Sequence, residues 1–143
     1  MKDKIDIFIT SYLRPEFTKE TLRYLKERTR YPYRTFLINN GGNEQFKDQV
    51  DFYIGMSKNV GIMSAWNIAA QLAESEYFIT SDNDIYVPDL THYGDTHGMD
   101  GRFIGDQEVV PIQECWLERM VKLMGKHLDY AAISLHPHVF IGI

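Results

Sequence analysis

The chain lacks the features that mark several large protein classes. It has one cysteine, Cys115, in 143 residues. It therefore cannot close an internal disulfide or build a thiolate zinc cluster, and a reducing, cytoplasmic compartment is expected. Positive charge is not in excess: 15 Lys+Arg stand against 20 Asp+Glu, a net charge of −5. That balance argues against a general nucleic-acid binder, which needs a basic face to neutralise phosphates. No uninterrupted apolar run approaches the length of a bilayer crossing, so no transmembrane segment is expected. The start, Met1-Lys2-Asp3-Lys4 and then alternating Ile5-Asp6-Ile7-Phe8-Ile9, is too short and too charged for a signal-peptide core. No G-x-G-x-x-G follows the first strand, and Gly125-Lys126 lacks the upstream glycine of a phosphate loop. G-x-S-x-G, H-E-x-x-H, repeats and low-complexity tracts are absent too.

What remains is a globular composition, 44% hydrophobic and 24% charged, at a length that suits one domain over residues 1–143. Ile5 to Thr10 is a β-rich run and a good first strand. Pro15 suits the first turn of a helix, with Glu16 and Glu20 near its positive end. The spacing of Phe17, Leu22 and Leu25 predicts an amphipathic helix to about Arg30, stopped by Tyr31-Pro32. Thr35 to Ile38 is a second buried strand, closed by the turn-forming Asn39-Asn40-Gly41-Gly42-Asn43. Asp51 to Ile54 is a short third strand. Gly61 to about Glu74 reads as a helix with Met63, Trp66, Ala70 and Leu72 partly inward. Tyr77 to Thr80 is a fourth strand, ending at Ser81-Asp82-Asn83-Asp84. Residues 91–113, rich in Gly, Asp and His, form an irregular loop too long for a plain connection. Cys115 to His127 returns as a helix with Trp116, Leu117, Met120, Val121 and Met124 on one side, and 131–135 is a last strand candidate.

This alternation predicts an α/β domain with a mostly parallel sheet flanked by helices. In such sheets a ligand crevice lies beyond the carboxyl ends of the strands. The polar clusters Thr10-Ser11, Asn39-Asn40 and Asp82 to Asp84 fall there. Two carboxylates one residue apart at a strand end suit Mg²⁺ or Mn²⁺, which take oxygen ligands and can bridge a diphosphate. Eleven aspartates in the chain give about one D-x-D by accident, so the triplet alone also reads as a solvated turn. Its position at the end of a buried strand is what favours chemistry.

Four blocks in order carry a resemblance. They are Ile9-Thr10-Ser11-Tyr12 with Arg14-Pro15; Leu37-Ile38-Asn39-Asn40-Gly41-Gly42; Asn59-Val60-Gly61 through Ala65-Trp66-Asn67; and Tyr77 through Asp82-Asn83-Asp84 to Pro88-Asp89. Over about residues 5 to 90 the chain resembles the nucleotide-binding half of the family-2, GT-A-fold glycosyltransferases. The resemblance implies a Rossmann-like fold with its acceptor half reduced or missing, a nucleoside-diphosphate sugar donor (a UDP-sugar by default) and an unknown acceptor. By the same resemblance, Thr10, Ser11 and Tyr12 lie along base and ribose. Asn39 and Asn40 stand where the family usually has an acidic turn, so an amide replaces the carboxylate at the base. Asn59 and Gly61 precede the helix that faces the diphosphate, whereas Trp66 and Asn67 read as structural. Asp82 meets the ribose or a metal-bound water, Asp84 coordinates the metal, and Asn83, counted with the donor site, shapes the turn between them. His136 and His138 are candidate late metal ligands, with paired surface histidines as the plainer alternative. No catalytic base stands out; Asp106 and Glu108 in the irregular loop are the weak candidates. Three readings stay open: a minimal transferase, a module that binds donor without turnover, or a protein-interaction scaffold of the same fold. Assembly into an oligomer would fit a reduced acceptor half.

Overall fold

A computed structural model describes residues 4–42, 45–85, 87 and 115–132. These fall in two compact units, Met1–Glu27 with Tyr31–Tyr86, and Arg28–Arg30 with Val87–Ile143. Strands β1 (Ile5–Ser11), β2 (Tyr33–Asn40), β3 (Phe52–Met56) and β4 (Phe78–Asp82) form one sheet in the order β3-β2-β1-β4. Every pairing is parallel. Helix α1 (Pro15–Arg28) links β1 to β2, and α2 (Ile62–Leu72) links β3 to β4. Helix α3 (Trp116–Lys126) lies in the second unit.

Central β1 is buried along its whole length, as expected of a strand flanked on both sides in a parallel sheet. Residues alternate between faces. Phe8, Phe36 and Ile38 share one face and pack with Ala65 and Ala69 of α2, joined by half-buried Ile54, Met56, Ile68 and Ala73. Phe8 stacks on Phe36 at 4.4 Å and Phe36 on Phe52 at 4.5 Å, while Phe78 meets Phe8 edge-on at 6.1 Å. One aromatic row thus crosses all four strands.

The inward face of α2 differs from the expected one. Ala65 and Ala69 are buried, whereas Met63, Trp66 and Leu72 are exposed. The helix carries no charge, but Ser64, Asn67 and Gln71 form a polar stripe at helical spacing, and Ala65 and Ala69 lie on the side away from it, where their small size lets the helix approach the Phe8–Phe36 stack. In α1 the buried set is Thr18, Thr21, Leu22 and Leu25, and Phe17 stays exposed. A 3-10 turn at Lys47–Gln49, not foreseen, follows Phe46 in a left-handed conformation.

A buried ionic clamp sets the start of β4. Fully buried Asp6 accepts Arg34 Nε at 2.7 Å and Nη2 at 2.9 Å, plus the backbone N–H groups of Glu74 at 2.9 Å and Ser75 at 3.1 Å. The Asp6 N–H donates to Ser75 Oγ at 3.0 Å, and that hydroxyl donates to the Tyr77 carbonyl at 2.6 Å. These bonds tie the approach to β4 onto β1 and so fix their register. A slip of one residue would turn every β4 side chain to the other face.

In the second unit, α3 has Trp116 and Leu117 buried, as does Cys115 just before it, and Trp116 Nε1 donates to Thr29 Oγ1 at 3.0 Å. Arg28 donates to the Val87 carbonyl at 2.8 Å. Met120, Val121 and Met124 are half-buried, in keeping with the expected apolar side. Ala131 and Ala132 are exposed and outside any strand; the rest of that strand candidate, and the 91–113 loop, lie outside the described residues. Among the described residues no helix is long and apolar enough to cross a membrane.

Candidate functional site

A cleft of about 220 Å³ opens beyond the C-terminal ends of the strands, lined by Thr10, Tyr12, Arg14, Asn40, Asn59, Ile62, Asp82, Asn83 and Asp84. The register explains the gathering. Thr10 pairs with Ile38 on one side and with Asp82 on the other, and strand partners project to the same face. Thr10, Asn40 and Asp82 therefore share the α2 side of the sheet. Ser11 and Asn39, also partners in register, project to the opposite side and do not line the cleft. Gly61 is not among the lining residues either. Asp106, Glu108, His136 and His138 lie outside the described residues.

The amides of this end hold the loops. Asn39 donates to the Tyr53 hydroxyl at 2.6 Å and accepts the Gly42 N–H at 2.8 Å. Asn40 donates to Asn59 Oδ1 at 3.1 Å and accepts the Val60 N–H at 2.9 Å; Asn59 Oδ1 also takes the Gly61 N–H at 2.8 Å. The turn after β2 and the loop before α2 are thus stitched together. Two glycines make this approach feasible. Gly41 has φ +87, and a Cβ there would lie 2.4 Å from the Asn59 nitrogen. Gly61 caps α2 at φ 82, ψ 159, a region open essentially to glycine alone.

Asn83 anchors the acidic turn. Its Nδ2 donates to Thr18 Oγ1 at 2.8 Å and reaches the Leu13 carbonyl at 3.4 Å, while Thr21 Oγ1 donates to the Asn83 carbonyl at 2.7 Å. With Asn83 drawn inward, Asp82 and Asp84 are left exposed on either side. Asp82 titrates above the ordinary aspartate range, because its carboxyl is partly withdrawn from water and because Asp84's charge repels its ionisation. The two carboxylates therefore act on each other electrostatically, which places them close together at the rim of the cleft.

The donor set has the chemistry of a hard-cation site. Among the described residues no three His, Cys, Asp or Glu side chains cluster, so the described part of the cleft offers two carboxylates, Asp82 and Asp84. Mg²⁺ and Mn²⁺ suit such open sets, completing their shell with water and substrate phosphates. Thr10 adds a further polar group to this end of the cleft. It is 5% exposed, and its Oγ1 is buried with no hydrogen-bond partner among the described residues. Buried polar atoms are normally satisfied, and a ligand oxygen in the cleft would satisfy this one.

Arg14 is the lining residue that sequence reasoning did not assign to a role. Leu13 and Arg14 both hold positive φ, 56 and 48, and Arg14 sits over the Phe17 ring at 5.2 Å. In sequence Arg14 stands 68 residues before Asp82, and only the fold and that loop backbone bring it to the same cleft.

A parallel sheet with a polar cleft past its C-terminal ends is an α/β ligand-binding architecture. The model of glycosyl transferase family 2 matches residues 6–92, more than half of the chain, and the chain belongs to that family. The sheet is accordingly the Rossmann-like nucleotide-binding half of the GT-A fold. The matched span holds every cleft residue. No curated relative matches the chain.

Proposed function

We propose that this domain binds a nucleoside-diphosphate sugar in the cleft, with Mn²⁺ or Mg²⁺ held by Asp82 and Asp84, and transfers the sugar to an acceptor. One observation carries the reading: the carboxylates of Asp82 and Asp84 and the unpartnered, buried Thr10 hydroxyl line one cleft past the strand ends of a family-2 domain. Membership of that family supports glycosyl transfer in general; the donor, the metal and the residue roles are part of the proposal.

A bound divalent cation would neutralise the charge that collects on the departing diphosphate. The chain's own groups orient the donor. Thr10 offers a hydroxyl already stripped of water, so a hydrogen bond to the donor there incurs no further desolvation. Tyr12, 44% exposed, offers a ring face to a base or ribose. Asn40 and Asn59 keep the loop before α2 against the cleft they line, where their amides stay candidates for contact with the donor. Transfer needs a base for the acceptor hydroxyl, for which Asp106 and Glu108 remain candidates. UDP-sugars are the default donor. The buried, free thiol of Cys115 suits a reducing, cytoplasmic setting.

A thermal-shift screen of UDP, GDP, CDP and dTDP with and without Mn²⁺ tests the reading. One nucleotide should raise the midpoint only with metal, by an amount that grows with its occupancy. No shift with any of the four would contradict it. Hydrolysis of the matching donor sugar, abolished in Asp84→Ala, separates transfer from retention alone.

A further inference from the structure

Among the described residues one cationic side chain, Arg14, lines the cleft, and its placement is unusual. Arg14 lines the same cavity as Asp82 and Asp84, yet it forms no ion pair with either among the described residues. The other arginines beside carboxylates behave differently: Arg34 pairs with Asp6 and Glu74, and Arg23 with Glu20 and Glu27. A backbone feature accompanies the separation. Leu13 and Arg14 are consecutive left-handed residues, a conformation that costs about 1–2 kcal/mol for each non-glycine residue. The turn is closed by the Phe17 N–H donating to the Arg14 carbonyl at 3.1 Å. Asn83 Nδ2, from between the two aspartates, reaches the Leu13 carbonyl at 3.4 Å. The loop that bears the cation is thereby bonded to the turn that bears the two anions.

The electrostatics of that layout favour a polyanion only in one circumstance. Without metal the three side chains sum to one negative charge. With a divalent cation neutralising the two carboxylates the cleft carries one net positive charge, on the guanidinium, and the metal's open coordination positions add a second centre for anionic oxygens. A pyrophosphate group, several negative charges spread over two phosphorus atoms, matches two such centres better than one. Guanidinium is the side chain best shaped for it, since it donates two parallel N–H bonds to phosphate oxygens.

We propose that Arg14 is a pyrophosphate-binding residue of this cleft, gripping the donor's phosphates alongside the metal held at Asp82 and Asp84. The assignment rests on the donor-binding reading above. It makes the loop 12–14 a cationic arm of the site and not merely a wall along base and ribose.

The test uses calorimetric titration of the wild-type chain, Arg14→Asn and Arg14→Lys, first with Mn²⁺ alone and then with UDP, or whichever nucleotide the screen selects, at saturating Mn²⁺. Asparagine is chosen because it tolerates left-handed backbone, so the loop keeps its shape without the charge. Arg14→Asn should bind Mn²⁺ alone at least as tightly as wild type, because a nearby positive charge has gone. It should bind the nucleotide about ten- to a hundredfold more weakly, the worth of charge-assisted hydrogen bonds. Arg14→Lys should fall between, and the salt dependence of nucleotide binding should be shallower in Arg14→Asn. Unchanged nucleotide affinity in Arg14→Asn overturns the assignment, as does a parallel loss of Mn²⁺ and nucleotide, which would mean a loop-shaping role. Failure of the wild type to take up any of the four nucleotides overturns the donor-binding reading itself, and Arg14's role with it.

Discussion

Breaking the clamp between Asp6 and Arg34 should be among the most damaging single changes to the sheet. In Arg34→Met the Asp6 carboxylate loses donors at 2.7 and 2.9 Å and keeps only the Glu74 and Ser75 N–H groups. Removing one partner of a buried ion pair costs about 3–5 kcal/mol. Arg34 keeps 26% of its side chain in water, so screening places the loss near the lower end, about 3 kcal/mol. The outer pair to Glu74, 76% exposed, adds less than about 1 kcal/mol. Against a total of roughly 5–15 kcal/mol, that is a large fraction, and the melting midpoint should fall by roughly 10 °C. Urea unfolding followed by circular dichroism measures it. The pH dependence gives a second readout. Burial pushes Asp6 up, but the Arg34 hydrogen bonds, the two backbone N–H groups and the Arg34 charge together hold its pKa below the usual 3.8. A carboxyl lower in the folded than in the unfolded state contributes stability that is complete above the unfolded value and is lost as pH falls through the folded one. In Arg34→Met burial has less opposition, Asp6 takes up its proton at higher pH, and the acid limb moves upward. A loss under about 1 kcal/mol at pH 7, with the acid limb unmoved, would refute the reasoning.

Thr10→Val removes a hydroxyl that is buried and unpartnered; stability should hold or rise by about 1 kcal/mol while nucleotide affinity falls, as calorimetry beside urea unfolding will register. Gly41→Ala puts a Cβ 2.4 Å from the Asn59 nitrogen at φ +87 and should cost roughly 2 kcal/mol or more, read in the same unfolding assay. Ala65→Leu, which overfills the contact with Phe8 and Phe36, should destabilise by about 1–3 kcal/mol, whereas Met63→Gln, at a residue 64% exposed, should stay within about 0.5 kcal/mol. Equal effects of the two would mean that the inward face of α2 is misassigned.

The sheet was legible because parallel strands are long apolar runs, and β1, β2, β3 and β4 all lie where those runs predict. Their C-terminal ends were read short. Ser11, Asn39, Asn40, Ser81 and Asp82 are strand residues despite their polarity, because ladder pairing with a neighbour offsets their weak strand preference. The site was legible as three polar clusters at strand ends. The division within them follows from two-residue alternation: Thr10, Asn40 and Asp82 face the cleft, Ser11 and Asn39 do not. The inward face of α2 was misread because the large apolar residues Met63, Trp66 and Leu72 drew the reading, whereas the polar stripe of Ser64, Asn67 and Gln71 turns Ala65 and Ala69 inward. Arg14's role was not legible, since it depends on two left-handed residues that no pattern of side chains announces.

If Asp82 and Asp84 hold a divalent cation that in turn holds a pyrophosphate, uptake of Mn²⁺ should depend on both carboxylates. Free Mn²⁺ gives a sharp six-line paramagnetic resonance spectrum that is lost on binding, so a titration with protein, with and without UDP, reads the claim directly. The signal should fall with one equivalent of protein, fall on adding UDP by more than UDP alone removes, and in the double variant Asp82→Asn, Asp84→Asn persist without UDP and fall with it only as far as in UDP alone. Equal loss of signal in the wild type and the double variant, or no loss in either, would contradict the account.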